Sequence, residues 1–157
     1  YGAQIIKNTE TLAKELKGKG FHLVAGGSNT HLILIDLKNK GIIGNLAAEA
    51  LEAANIVLNR NSVPFDTNPP FYPSGIRMGT PGITSRGMKE KEMVKIATWI
   101  SDIIDDIGRL QKEQKLSFDQ VKKSAVRQKL IASSQVIKEV KKEVLKLCQK
   151  FPIQAEY

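Results

Sequence analysis

Apolar residues recur along this chain with helical spacing in some stretches and with strand spacing in others. Near the start, Ile5, Leu12 and Leu16 fall on one helical face, with charged residues between them. Before the last periodic stretch, Ser117 and Gln120 have the serine-to-glutamine spacing of a capping box. Helical spacing predicts four helices, over residues 3–20, 45–55, 89–108 and 119–150.

Four shorter runs are typical of strands, because they are apolar or rich in β-branched residues. They cover residues 21–25, 30–37, 56–58 and 75–79. A Gly-Gly-Ser-Asn turn at residues 26–29 predicts that the first two strands form a hairpin. This order of elements favours the α+β class, with a small, mainly antiparallel sheet packed with helices.

Three details of these elements are also predicted. Asn45 stands where it can cap the second helix, and Asp36 stands where it can cap the end of its strand. Residues 109–116 leave two possibilities open: the third helix continues, or a charged linker follows it.

The stretch from Asn59 to Gly87 has neither period and contains five of the six prolines. Because proline fixes its own φ and restricts the preceding residue, this stretch is predicted to be a shaped loop. Its strand at residues 75–79 should turn Ile76 and Met78 one way and Arg77 the other. An arginine on a rigid strand can clamp a carboxylate or phosphate with its planar fork. The alternative is an ordinary arginine on a solvated strand face.

Composition and charge fit one globular domain with an uneven charge distribution. The 157 residues are 41% hydrophobic and 25% charged, with a net charge of +8. Residues 1–108 hold 12 Lys and Arg against 11 Asp and Glu, whereas residues 109–157 hold 12 against 5. The basic C-terminal third suggests a nucleic-acid-binding module. The alternative is a solvated lysine face, which the lack of interleaved aromatic residues favours.

The cysteine and histidine content and the absence of known motifs limit the kinds of functional site that this chain can contain. Cys148 is the only cysteine, which excludes an internal disulfide and predicts a reducing, cytoplasmic location. No apolar run approaches the roughly 20 residues of a membrane span, and no zinc, phosphate-loop or G-x-G-x-x-G motif occurs. His31 is either a catalytic group or a hydrogen-bonded structural histidine. A chain that begins at Tyr1 without methionine is expected to be a piece of a longer one.

Several segments together strongly resemble one enzyme family. They are GGSNTHLILIDL, NRNSVPFD, SGIRMGTP, ITSRG and VLKLCQKFP. Through residues 1–150 the chain resembles the C-terminal small domain of serine hydroxymethyltransferase. The resemblance implies the fold of aspartate-aminotransferase-type (fold type I) pyridoxal-phosphate enzymes, with the domain covering residues 1–157. Its expected parts are a leading helix at 1–20, an α/β core at 21–108 with a substrate loop at 59–87, and a C-terminal basic helix at 109–157.

The same resemblance implies an activity and a set of site residues. The family interconverts serine and glycine reversibly and transfers a one-carbon unit to tetrahydrofolate. Arg77 matches the arginine that binds the substrate carboxylate, and Asn61 matches a folate-contacting asparagine. Pro69, Pro70 and Phe71 match the segment that lines the folate site. Pro69 stands where the family has serine, so that hydroxyl and its N–H are missing here.

One motif of the family is absent from these residues. The cofactor lysine, in a Thr-Thr-His-Lys context, occurs nowhere in this sequence. No residue is therefore assigned to catalysis or to cofactor binding, and the chain alone is expected to be inactive. Arg86 matches the arginine of the family's Thr-Thr-Arg-Gly turn and is expected to support the site without touching substrate.

For the full-length enzyme, the resemblance implies pyridoxal phosphate as cofactor, tetrahydrofolate as co-substrate, a homodimer and a cytoplasmic location without a membrane. Two alternatives remain beside an enzyme fragment. One is the nucleic-acid-binding module, and the other is a stand-alone interaction or regulatory domain without catalysis.

Overall fold

The computed structural model describes residues 1–153, which form helices and strands in mixed order. The α-helices are α1 (Gly2–Gly18), α2 (Gly44–Ala53), α3 (Pro81–Ser85), α4 (Glu90–Glu113), α5 (Phe118–Val121), α6 (Ser124–Ala132) and α7 (Gln135–Lys150). The strands are β1 (His22–Leu23), β2 (Leu32–Asp36), β3 (Asn59–Asn61) and β4 (Gly75–Gly79). Short 3-10 turns lie at Val24–Gly26 and Lys38–Lys40.

Within the described range the strands form one antiparallel sheet in the order β1-β2-β4-β3. β1 and β2 pair as the predicted hairpin. β4 lies between β2 and β3, with Ile33 opposite Met78 and Ile35 opposite Ile76. The predicted α+β class with a small antiparallel sheet is confirmed. Its inner position gives β4 hydrogen-bonded neighbours on both sides, which makes it a rigid support for the side chains that it carries.

Among residues 1–153, helices cover one face of the sheet and leave the other open. Ile33, Ile35 and Ile76 are almost completely buried, whereas Leu32 and Arg77 are exposed. This alternation follows from the two-residue repeat of a strand. The apolar stripes of the helices complete the core behind the buried face, with Leu12, Leu16, Leu46, Leu51, Met93, Ile100, Ile103 and Ile104.

α4 continues past the predicted end at residue 108 and reaches Glu113, so the longer of the two possibilities for residues 109–116 is largely correct. Arg109 donates to Asp106 at 2.6 Å and to Glu113 at 2.7 Å along the helix surface. Pairs at these spacings stabilise a helix modestly, and they explain how such a polar stretch stays helical.

α2 begins unusually close to the sheet. The N–H of Gly44 donates to the carbonyl of Pro73 over 2.7 Å. A Cβ atom at Gly44 would collide with the carbonyl oxygen of Gly75, so only glycine fits here. Ala47 and Ala50 are fully buried, and their small side chains allow the same close approach further along α2.

Asn45 does not cap α2 as the sequence predicts. Ile43 occupies the N-cap position, and no side chain caps the helix there. The amide nitrogen of Asn45 instead donates to the carbonyl of Phe71 over 3.0 Å. The side chain thus connects α2 to the proline-rich loop. The expected cap at Asp36 does form, since its carboxylate accepts from the N–H of Lys38 at 2.9 Å.

Two predicted strands differ from the observed ones. The strand at residues 21–25 is reduced to His22–Leu23, because the chain turns next, with Ala25 at φ 59°. The predicted strand at 56–58 is wrong, since pairing begins only at Asn59. Ile56 packs against the core instead, as the chain leaves α2 through Asn55 at φ 63°.

The single helix predicted over residues 119–150 is also wrong, because the chain breaks it into α5, α6 and α7. The guanidinium of Arg127 donates to the carbonyls of Val121 and Lys122 at 3.0 and 2.6 Å, which satisfies the end of α5. Ser134 accepts the N–H of Ile137 and begins α7. Both breaks are therefore stabilised by side chains.

The predicted basic helix at 109–157 therefore corresponds to several elements of the structure. Its first residues belong to α4, and its last four residues, 154–157, lie outside the described part of the chain. The capping box of Ser117 and Gln120 is confirmed, although it opens only the short α5. Across residues 1–153, none of the helices combines the length and the apolar character that crossing a bilayer would require.

Candidate functional site

Arg77 lies in the middle of β4 on the open face of the sheet. Ile76 and Met78 are buried on either side of it and hold the strand against the core. Asn59 and Leu34 are its partners on the two neighbouring strands. The Arg77 side chain is exposed, and no hydrogen bond or ion pair engages it within residues 1–153. A guanidinium held in this way is available to bind an anion.

A surface pocket borders Arg77 where β3, β4 and α2 meet. Arg60 and Arg77 line it, and α2 contributes Glu49 and Glu52 among others. The carboxylate of Glu49 is held by the guanidinium of Arg127, with two contacts of 2.8 Å. This bidentate pair, in which Arg127 is buried and Glu49 is partly buried, keeps the Glu49 carboxylate engaged with α6 rather than with Arg77.

Asn61 ends β3 on the same sheet face as Arg77. Because Asn59 lies opposite Arg77 and Asn61 lies opposite Gly75, Asn61 and Arg77 are diagonal neighbours. Diagonal neighbours in an antiparallel pair lie about 7–8 Å apart. The amide nitrogen of Asn61 donates to the carbonyl of Ser62 over 2.8 Å. The structure therefore brings Asn61 and Arg77 together on the open face.

The loop between β3 and β4 is tied together by one carboxylate, that of Asp66. One of its oxygens accepts from the N–H of Asn68 at 3.0 Å and from the hydroxyl of Ser74 at 2.6 Å. The other accepts from the N–H groups of Ser74 at 2.9 Å and Val63 at 3.3 Å. These four contacts join both ends of the loop and its middle to a single side chain.

These hydrogen bonds shift the acidity of Asp66. Burial alone would raise the pKa of the carboxyl group, because it disfavours the charged form. The hydroxyl and N–H of Ser74 and the N–H groups of Asn68 and Val63 outweigh burial, and lower the pKa from 3.8 to about 2. At neutral pH the group is an anion that accepts from four donors.

The segment of Pro69, Pro70 and Phe71 projects from this loop into solvent. All three residues are exposed, and Phe71 retains 77% of its accessible surface. The N–H of Tyr72 donates to the carbonyl of Pro69 at 2.9 Å and closes a turn. With the contact of Asn45 to Phe71, the segment is held by backbone contacts, while its ring and proline surfaces stay open to a ligand.

Comparison with known proteins identifies the family of this chain. The family model for serine hydroxymethyltransferase matches residues 1–100. The chain belongs to the serine hydroxymethyltransferase family. A serine hydroxymethyltransferase of Acidobacterium capsulatum is 51% identical over 105 residues, which cover 67% of this chain and 25% of that protein. One of Koribacter versatilis is 44% identical over 119 residues, covering 72% and 28%. The chain thus spans about a quarter of the length of these relatives.

Arg86, which the family resemblance assigns to a supporting role, contacts the end of α7. Its Nε donates to the carbonyl of Phe151 at 2.6 Å, and its Nη2 donates to the carbonyl of Cys148 at 3.0 Å. A cation at this position satisfies open carbonyls and opposes the negative end of the helix dipole. Arg86 therefore joins the end of α3 to the end of α7.

A buried polar network fixes the segment that follows β4. The amide nitrogen of Asn8 in α1 donates to the hydroxyl of Thr84 at 2.8 Å and to the carbonyl of Met88 at 2.9 Å. The hydroxyls of Thr9 and Thr80 lie 2.7 Å apart. Satisfied buried groups such as these resist displacement, because breaking one leaves its partner unpaired. The network therefore locks both ends of α3 against α1.

Three other candidates from the sequence are His31, Cys148 and the lysines of α7. The carbonyl of His31 accepts from the N–H of Thr80 at 3.2 Å, and its imidazole is exposed. Cys148 is half-buried and packs against the core. In the described part of the chain, no group of three His, Cys, Asp or Glu side chains is arranged to hold a metal ion. Most lysines of α7 are exposed, and Lys146 pairs with Glu143 at 3.2 Å.

Sequence reasoning missed the residues that shape the loop. The Asp66-Thr67-Asn68 spacing is that of an Asx turn, so a local signal for Asp66 was present. No such signal exists for its contacts with Ser74, which lies eight residues further on. The bond between Asn45 and Phe71 joins residues 26 positions apart, and only the folded chain brings them together.

Proposed function

We propose that this chain is the C-terminal small domain of a serine hydroxymethyltransferase and forms one wall of its active site. The domain covers residues 1–157, with the substrate loop at 59–87. The whole enzyme interconverts serine and glycine with one-carbon transfer to tetrahydrofolate, and it is a cytoplasmic homodimer. Pyridoxal phosphate, held by other parts of the enzyme, supplies the electron sink for bond cleavage at Cα.

The guanidinium of Arg77, which is exposed and has no partner among residues 1–153, carries this proposal. Its planar fork binds both oxygens of the substrate carboxylate. Holding the carboxylate fixes the orientation of the bonds at Cα. Such positioning of the substrate lowers the activation barrier for cleavage of one of these bonds. One hydrogen bond to a charged group contributes about 1.5–3 kcal/mol. The buried neighbours Ile76 and Met78 keep the arginine in place before substrate arrives.

Asn61 and the segment of Pro69, Pro70 and Phe71 form the folate side of the wall. The exposed ring of Phe71 offers apolar surface to a planar ligand. Because the prolines already restrict the backbone, little conformational entropy is lost when folate binds. Pro69 has neither a hydroxyl nor an N–H to donate, so it contributes shape only.

The experiment uses an enzyme in which this 157-residue sequence forms the C-terminal domain. Arg77→Ala should lower kcat/KM for serine by about 100-fold, the size expected for losing a charge-assisted bidentate contact. Arg77→Lys should recover little of it, because an ammonium group cannot reproduce the fork. Cofactor absorbance should not change in either variant.

Arg109→Ala is the matched control, because it removes a surface guanidinium that pairs with Asp106 and Glu113 along α4. Its kcat/KM for serine should stay within about twofold of the parent value, since surface pairs contribute little. Unchanged serine kinetics in both Arg77 variants would remove Arg77 from this role.

A further inference from the structure

Most of the exposed loop between β3 and β4 has no core of its own. Phe65 is 97% exposed and Phe71 is 77% exposed, so burial does not define the path of the chain. Phe65 also has φ 58°, a left-handed conformation that a bulky residue rarely adopts without support. Apart from the φ restriction of its prolines, polar contacts therefore determine the shape of the segment from residue 64 to residue 71.

Those contacts converge on Asp66. Its carboxylate accepts from Val63 before the loop, from Asn68 within it, and twice from Ser74 after it. Ser74 is itself 1% exposed, and its carbonyl accepts from the N–H of Leu37 at 2.9 Å next to β2. Asp66 therefore anchors the loop to the sheet through a residue that is buried and hydrogen-bonded next to β2.

A second anchor acts from α2. The amide nitrogen of Asn45, which is 4% exposed, donates to the carbonyl of Phe71 at 3.0 Å. The ring of Tyr72 also lies 5.7 Å from the ammonium group of Lys122, within the range of a cation–π contact. These contacts hold the far side of the segment, so the carboxylate of Asp66 and the amide of Asn45 together fix the position of the Phe71 backbone.

We propose that Asp66 is a positioning residue for tetrahydrofolate. Through Ser74 and Asn68 it holds Pro69, Pro70 and Phe71 in the shape that receives the ligand, and it touches neither folate nor serine. This inference rests on the proposed function, because it assumes that the segment contacts folate. Arg77 lies on β4 beyond the part of the loop that Asp66 ties, so serine binding does not depend on this carboxylate.

The test compares the kinetics of variants of the enzyme that carries this domain. Asp66→Asn replaces one accepting oxygen by a donor that faces other donors, and should raise KM for tetrahydrofolate about 10-fold. KM for serine, and kcat at saturating folate, should stay within about twofold. Ser74→Ala removes only the hydroxyl contact, so it should raise the folate KM by a smaller factor, about threefold. It also serves as the test variant if Asp66→Asn does not fold.

Asp106→Asn is the matched control. Asp106 also accepts a serine hydroxyl at 2.6 Å, from Ser134, but it lies on α4 outside the loop. Its variant should lose stability comparably and leave the folate KM within about twofold. A purely structural role for Asp66 would give the two aspartate variants the same kinetics, or would raise both KM values of Asp66→Asn together. Either result overturns the inference.

Phe71→Ala separates this inference from the proposed function. If Phe71→Ala leaves the folate KM unchanged, the segment does not contact folate and the proposed role of the segment fails. If Phe71→Ala raises the folate KM while neither Asp66→Asn nor Ser74→Ala does so, the segment contacts folate and Asp66 does not position it. Raised folate KM values in Phe71→Ala and in at least one of the other two variants support the inference.

Discussion

At the scale of single residues, charge decides which side chains organise this domain and which are left for a ligand. Asp66 and Glu49 are acids whose oxygens are occupied by several donors of the protein itself. Arg127 is a buried cation that satisfies two carbonyls as well as Glu49. Arg77, by contrast, is exposed and has no such partner in residues 1–153. This difference supports a structural role for the first three and a binding role for Arg77.

The depressed pKa of Asp66 predicts a pH dependence of stability. A carboxyl group whose folded pKa lies below its ordinary value stabilises the fold where it is ionised in both states. The contribution is therefore fully present above pH 3.8, and is lost as the pH falls toward the folded pKa of about 2. Asp66→Asn should lower the free energy of unfolding by about 1–2 kcal/mol at neutral pH, as expected for a partly exposed group.

Urea unfolding of the parent chain and of Asp66→Asn at a series of pH values measures this dependence. The difference between the two should stay constant from neutral pH down to about pH 5, and should shrink below about pH 4. A difference that is independent of pH down to the acid transition would mean that the ionised carboxylate does not carry the stabilisation.

At the scale of elements, the site depends on how closely α2 approaches the sheet. Gly44 has no Cβ, and its N–H reaches the carbonyl of Pro73 at the end of the loop. Asn45 follows directly and binds Phe71. The start of α2 therefore positions the segment that we assign to folate, as well as closing the core behind β4.

Gly44→Ala should destabilise the domain by about 1–3 kcal/mol, the usual cost of inserting atoms into a packed site. Its Cβ would meet the carbonyl oxygen of Gly75 and would lie 3.0 Å from that of Pro73, and neither backbone can give way easily. Thermal unfolding followed by circular dichroism measures the effect as a lower Tm.

Gly18→Ala is the control for this substitution, since it also changes a helical glycine. Nothing lies within 4 Å of a Cβ at Gly18, so alanine should leave the stability unchanged or raise it by about 0.5–1 kcal/mol. Equal Tm values for Gly44→Ala and the parent would show that α2 can move away from the sheet without loss.

At the scale of the whole molecule, the domain presents the candidate site on one open surface. Helices cover one face of the sheet, while the open face carries Arg77 and Asn61, with the proline-rich loop joining the two strands that bear them. The exposed lysines of α7 belong to a separate helix and fit a solvated surface. This arrangement favours a domain that supplies one side of an active site over a domain that contains a complete active site.

The 157-residue chain alone should therefore not convert serine to glycine, even with pyridoxal phosphate and tetrahydrofolate added. The reason is chemical: the sequence lacks the family's cofactor lysine motif, and Arg77 can orient a substrate but cannot withdraw its electrons. Glycine formation is the measurement, with the intact enzyme as the positive control. Circular dichroism and the fluorescence of the only tryptophan, Trp99, establish that the chain is folded. Turnover by the folded chain alone would contradict the one-wall proposal.

Much of the fold could be predicted from local pattern. The helical repeat of α1 and α4, the alternation in β2 and β4 and the capping box at Ser117 are properties of neighbouring residues, so the sequence shows them directly. The breaks that divide the last third of the chain could not be predicted in this way. The first involves Arg127, whose partner Glu49 lies 78 residues away. The second involves Ser134, whose hydroxyl donates to Asp106 on α4.

The candidate site likewise has local features that the sequence shows and long-range features that it does not. The sequence by itself determined that Arg77 stands on a strand with buried neighbours, and that prolines restrict the loop beside it, because φ limits and strand alternation act within a few residues. Only the tertiary structure decided that Asp66 and Asn45 hold the Pro69–Phe71 segment, and that Asn61 shares a face with Arg77. Those relations are hydrogen bonds and strand registers between distant residues, and they exist only once the chain has closed around its core.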